Sequence, residues 1–107
     1  MVISLAGEWD IYRREELRSR LEPAYHERRV VLDLTAAKFV TSTLIGALIT
    51  ASKYRAEREM PPAVLAVKSA FVRRLLAATG VEDHFPIYES LPQAIAHGDG
   101  SMEQHAV

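Results

Sequence analysis

The chain has 107 residues, 49% of them apolar and 25% charged, with a formal net charge of −1 and no cysteine. This is the make-up of one ordinary globular domain; it excludes disulfides, thiolate nucleophiles and cysteine metal sites, and gives no broad electrostatic reason to expect direct binding to nucleic acid. No apolar run approaches the roughly 18 to 20 residues of a membrane span, so no direct membrane insertion is expected.

The start, Met1-Val2-Ile3-Ser4-Leu5, lacks the basic region of a signal peptide and runs into charged sequence, so a cytoplasmic location is expected. Val2 to Ala6 reads as a short strand stopped at Gly7. Asp10 can cap a helix from about Ile11 to Leu21, with Leu17 and Leu21 facing the core and arginines and glutamates filling the other positions. Val30-Val31-Leu32-Asp33-Leu34 is a near-continuous apolar run, as expected of a strand covered on both faces. A long helix follows over about Ser42 to Glu59. Leu44, Ile45, Leu48, Ile49 and Ser52 share one broad face of it, Lys53, Arg55, Glu57, Arg58 and Glu59 make its last turns polar, and Pro61-Pro62 stops it. Val64 to Val67 is another buried strand.

Ser69 can cap a helix from Ala70 to Thr79 that presents Phe71, Val72, Leu75 and Leu76 inward. Gly80 then supplies a left-handed terminus, with Val81 as the apolar contact that often accompanies it. Ile87-Tyr88 is a short strand, and Ser90 can cap a last helix reaching about Ala96. One domain over 1–97 and a polar tail over 98–107 are expected.

Four strands thus alternate with four helices, β-α-β-α-β-α-β-α. Strands joined by crossover helices run parallel, so the fold class is a small α/β domain with a mainly parallel four-stranded sheet. In such sheets functional residues collect at the carboxyl ends of the strands. That rim would hold Asp10, the segment from Asp33 to Phe39, and the hydroxyl run Thr41-Ser42-Thr43, which sits where the long helix must begin. A helix start has free backbone N–H groups and the positive end of the dipole, so it suits an N-cap, an anion or a phosphorylated hydroxyl. Asp10 reads as an N-cap, and Asp33 as a strand terminator that bonds local backbone or shapes the rim. Leu44, Ile45, Leu48 and Ile49 are mostly core, with Leu44 the candidate for an exposed apolar contact near the helix start. Trp9 is a packing residue or, if exposed beside the rim, an interface anchor.

Catalysis is not expected. His26, His84, His97 and His105 are scattered without metal-ligand spacing, and there is no Gly-rich phosphate loop and no nucleophile elbow. No cofactor or metal is expected.

Several pieces of the chain, in order, resemble the STAS domains, the anti-sigma factor antagonists. They are Gly7-Glu8-Trp9-Asp10, Val31-Leu32-Asp33-Leu34 leading to Phe39-Val40-Thr41-Ser42-Thr43-Leu44-Ile45-Gly46-Ala47-Leu48, Val72 to Val81, and Phe85 to Leu91 with Ala94. In that family the middle piece reads Phe-x-Asp-Ser-Ser/Thr-Gly-Leu-Gly. The resemblance covers about Val2 to Ala96 and implies that the family's working serine is Ser42. It further implies phosphorylation of Ser42 by an anti-sigma factor that is itself a serine kinase, which binds the unmodified form, with Asp10, Thr41, Ser42, Thr43, Leu44 and Ile45 forming the partner-binding surface. Here Thr41 stands for the family's Asp and Leu44 for its first Gly. These departures favour a second reading that the resemblance also implies, a constitutive interaction module docked on subunits of an ABC-type lipid transporter. The family's usual first strand has no counterpart, which implies an open sheet edge and a possible homodimer through it.

Overall fold

The computed structural model describes residues 1–98. Four strands, β1 (Val2–Ser4), β2 (Val31–Asp33), β3 (Val64–Ala66) and β4 (Ile87–Tyr88), lie side by side in chain order. Every neighbouring pair is parallel, in a register that aligns Ile3, Leu32, Leu65 and Ile87 across the sheet. Helices α1 (Arg14–Leu21), α2 (Ser42–Glu57), α3 (Ala70–Ala78) and α4 (Leu91–Gly98) alternate with them. Single-turn 3₁₀ segments at 11–13, 22–25 and 81–83 make the joints. The expected α/β architecture is present. Of the expected tail over 98–107, Gly98 closes α4 and the remainder lies outside the described residues.

The side-chain period of two divides the sheet's contacts between two layers. Ile3, Leu32 and Leu65 pack with Leu17, Leu21, Leu44, Leu48, Val72 and Leu76 in the larger core cluster, which places α1, α2 and α3 on one face. Val31, Val64 and Ala66 meet Ala94 of α4, with Tyr88 and Leu91 beside them, on the other. This two-sided cover explains why β2 and β3 are near-continuous apolar runs rather than alternating ones. The outer face of β1 is left open: Ile3 is buried whereas Val2 and Ser4 are exposed, and among the described residues β1 pairs only with β2.

The local stops follow the sequence. Ser69 Oγ accepts the Val72 N–H at 3.2 Å and Ser90 Oγ the Gln93 N–H at 3.2 Å, so both expected serine caps form. Gly80 takes φ +79° directly after α3, a conformation that costs glycine little, and Val81 behind it is fully buried.

The end of α2 departs from the periodicity. Arg55, expected in a polar last turn, is buried at 1% exposure. Its guanidinium donates to four backbone carbonyls. Nη1 reaches Ala24 O at 2.7 Å and Glu27 O at 2.8 Å, Nη2 reaches Arg28 O at 2.6 Å and Pro61 O at 2.7 Å, and Nε adds a 3.0 Å bond to Pro61 O. Burial, and secondarily the charge of Arg28, lowers its pKa from the ordinary arginine value, yet a guanidinium stays protonated in a protein. A planar fork of donors can satisfy several carbonyls at once; an apolar side chain here would strand them all.

Truncation of Arg55 is therefore expected to be costly where removal of the neighbouring exposed Arg58 is not. Arg55→Ala should lower unfolding stability by about 3 kcal/mol, because buried carbonyls lose their donors and a cavity is left. Arg55→Lys should recover only part, since one ammonium cannot span four acceptors. Urea midpoints at unchanged m value check both.

Candidate functional site

The carboxyl ends of β1 and β2 are tied into one rim by backbone bonds. Gly7, at φ +82°, donates its N–H to Ala36 O at 3.0 Å, and its carbonyl accepts from Lys38 N at 3.2 Å. The positive φ is what turns the chain after β1 here, and it favours glycine. Behind β2, Asp33 Oδ1 accepts from Thr35 N at 3.0 Å and from Thr35 Oγ1 at 2.6 Å, so this carboxylate closes a local turn. Asp10 does the same one loop away, its Oδ1 taking the Tyr12 N–H at 3.0 Å at the start of the turn that leads into α1.

Trp9 is buried and packs in the core. The Arg13 guanidinium lies 3.9 Å from its ring centroid while donating to Glu8 O at 2.7 Å and to both oxygens of Glu16 at 3.1 Å. The hydrogen bonds to Glu16 raise the pKa of Arg13, and the same contact holds the Glu16 carboxyl below its ordinary value.

The three hydroxyl residues separate into distinct roles. Thr41 is the N-cap of α2: its Oγ1 accepts the Leu44 N–H at 3.1 Å and donates to the carbonyl of Trp9. One hydroxyl thereby starts the helix and ties that start to the loop after β1. Ser42, the first residue of the helix, is exposed, and among the described residues its hydroxyl makes no hydrogen bond. Thr43 is half-buried. Leu44 corrects the expectation of an exposed apolar contact: it is completely buried, because the core stripe of α2 starts at Leu44 and continues through Leu48 and Ala51. Ile45 is half-buried and packs against the core cluster.

Exposed apolar side chains nevertheless occur on the loops at this end of the sheet and on the first turn of α3, at positions that the periodicity did not single out. Tyr12 is 93% and Ile11 62% exposed on the turn after β1. Phe39, from the loop after β2, and Phe71, from the first turn of α3, are 45% and 47% exposed with ring centroids 6.5 Å apart. Phe71, expected to face inward, thus contributes to the surface instead. Lys38 and Lys68 flank this aromatic pair in sequence, both exposed. A groove of about 430 Å³ opens from Ser42 and runs between α1 and α2.

Among the described residues no three His, Cys, Asp or Glu side chains gather as metal ligands, and no helix is long and apolar enough to cross a membrane. What the rim offers chemically is an exposed hydroxyl at a helix start, at the end of a groove lined by Ile11, Arg14 and Arg18.

The sequence matches the family model described as Mlab, STAS domain, over residues 1–92, and the chain belongs to that family. No curated protein matches it. Among solved structures, an anti-sigma factor antagonist from Mycobacterium paratuberculosis is similar with a TM-score of 0.75 at 21% identity, over 92% of this chain and 84% of that one. The protein TM1081, solved by NMR, is similar with a TM-score of 0.70 at 14% identity, over 94% and 82% respectively. At these identities the likeness establishes the fold.

The division of labour between the two neighbouring hydroxyls is measurable. Thr41→Ala removes a cap and the tie to Trp9 and should cost about 1 to 2 kcal/mol. Ser42→Ala should stay within about 0.5 kcal/mol of the parent, as for other surface substitutions. Equilibrium urea unfolding of the two variants checks the contrast.

Proposed function

We propose that this domain is a non-catalytic docking module that binds a protein partner on the carboxyl rim, and that phosphorylation of Ser42 releases the partner. The observation that carries the reading is the spare hydroxyl. Thr41 already performs the cap, so the fold does not require Ser42 Oγ, which stands exposed at the mouth of a groove that Ile11 also lines, at the end of the sheet whose loops expose Tyr12 and Phe39. Exposed aromatic side chains around one point are the usual anchors of a protein interface.

A phosphate at Ser42 would bring about −1.5 to −2 charges to the N-terminal end of α2, where the dipole and free N–H groups tolerate it within the fold. The same charge inside a close-packed interface would have to be desolvated, and the contact would fail. A solved structure of the same fold is an anti-sigma factor antagonist, which supports an anti-sigma factor as the partner; that this partner is a serine kinase and modifies Ser42 is the expectation carried by the resemblance to the family.

A second reading has its own support. Thr41, where related sequences carry an aspartate, is tied to the Trp9 carbonyl, so the serine lacks an adjacent carboxylate and the surface could serve as a constitutive dock for subunits of an ABC-type transporter.

The discriminating experiment is affinity capture from the native cell with Ser42→Ala and Ser42→Asp as baits, with mass spectrometry of the partners and of the Ser42 peptide. On the first reading Ser42→Ala retains a kinase-like anti-sigma factor, Ser42→Asp loses it, and the parent peptide carries phosphate. Equal recovery by both baits, with an unmodified peptide and transporter subunits in the eluate, would establish the second.

A further inference from the structure

Four arginines decorate the first helical segment, and the fold treats them differently. Arg13 is bonded to Glu16 and to Glu8 O, and Arg20 reaches Glu16 at 3.9 Å and Ser4 O at 3.4 Å. Arg14, in contrast, makes no hydrogen bond or ion pair among the described residues, and Arg18 has a single 3.5 Å contact with Glu15, both side chains being largely exposed. These two less engaged arginines are the ones that line the groove between α1 and α2, and no carboxylate lines it.

The facing wall is formed by α2, with Ser42, Gly46 and Thr50 at successive four-residue steps. These positions span about 12 Å at the helical rise, or roughly two turns of a helix laid alongside. Gly46 is the unexplained member. Glycine weakens a helix interior, yet a Cβ at this position would meet nothing within 4 Å. Nothing inside the domain therefore calls for glycine, and its open side leaves room for a close approach from outside. The floor between the walls is apolar, from Ile11, Leu17 and Leu21.

We infer that this groove seats an acidic amphipathic helix of the protein partner, its backbone close to Gly46 and its carboxylates on Arg14 and Arg18. The inference rests on the docking reading above and deepens it. The chemistry is that of an amphipathic helix in a groove: an apolar stripe on the floor, with a cationic wall that rejects basic sequences and selects acidic ones.

A phage-displayed library of helical peptides, selected against the whole domain, provides the probe. Two variants accompany it: Gly46→Leu, which fills the groove, and Arg14→Glu with Arg18→Glu, which reverses its charge. All the substituted positions are exposed, and circular dichroism with thermal melting should show both variants folded as the parent. Selected peptides are expected to be enriched in Asp and Glu, to lose more than about ten-fold in affinity on Gly46→Leu, as for a central interface contact, and to give way to Lys-rich binders on charge reversal.

Peptides without acidic bias, peptides bound equally by the parent and Gly46→Leu, or an absence of binders would each overturn the inference. So would native mass spectrometry showing a small acidic metabolite held in the groove in place of a peptide. The partner recovered with Ser42→Ala separates this inference from the reading beneath it. If Ser42→Asp releases that partner while both groove variants keep it, the rim reading stands and the groove inference falls. If the groove variants release it and Ser42→Asp does not, the groove is upheld and the Ser42 switch falls.

Discussion

Helix α2 is held at both ends by polar side chains that bond backbone carbonyls, and the rest of the structure is arranged around that restraint. At its far end the Arg55 guanidinium gathers carbonyls from residues 24, 27, 28 and 61, drawing the segment after α1 and the turn before β3 onto one point. The Arg55 carbonyl, in turn, accepts the Met60 N–H at 2.9 Å, and Glu59 takes φ +57° to make that turn. At the near end Thr41 joins the first turn of the helix to the Trp9 carbonyl. A buried cation without a carboxylate is costly to desolvate, and it is tolerable here because its donors meet carbonyl dipoles. The helix so fixed fills the face of the sheet with Leu44 and Leu48 and turns Ser42 and Gly46 outward.

That orientation concentrates apolar exposure on the rim. With both faces of β2 and β3 covered, the carboxyl ends are where loops from three different strands come together without a layer above them. Ile11, Tyr12, Phe39 and Phe71 are four of the large apolar side chains that the described residues expose, and all four belong to segments that follow the carboxyl ends of β1, β2 and β3. The charge pattern runs the same way. Arg13 and Arg20 are engaged by Glu16 and Arg18 more loosely by Glu15, while the side chains of Arg14, Lys38 and Lys68 make no hydrogen bond or ion pair among the described residues.

Much of the fold could be read from the chain. Apolar runs gave the strands, and Ser69, Gly80 and Ser90 mark their elements because each cap is a contact within four residues. The rim could be placed for the same reason, through Gly7, Asp10 and the hydroxyl run. What periodicity could not supply was tertiary. Arg55 looks like a solvated charge in the last turns of a helix, since the carbonyls that bury it come from residues about thirty positions earlier and six later. Leu44 is, by its place near the helix start, the candidate for exposure among four mostly core residues, but its four-residue spacing to Leu48 belongs to the core stripe. Phe71 stands next to Val72 on an amphipathic helix, and only the crossing of α3 over the sheet decides which of the two faces in. Which of three adjacent hydroxyls caps the helix was equally open, until the position of the Trp9 carbonyl selected Thr41.

The restraint on α2 also bears on the proposed switch at Ser42. If the helix start were loose, a charge added there would be absorbed by rearrangement of the turn, and the surface would change little. Thr41 holds the turn through Trp9 and Leu44, and the apolar stripe behind it is fully buried, so a charge added at Ser42 cannot retreat into the fold. It must stay at the mouth of the groove, beside cationic side chains and at the positive end of the helix. There it would be compatible with the folded domain and would compete for the arginines that an acidic partner needs. A rigid fold with a spare hydroxyl could therefore convert one covalent change into a change of surface without moving an element, because Thr41 alone supplies the cap and the tie to the preceding loop.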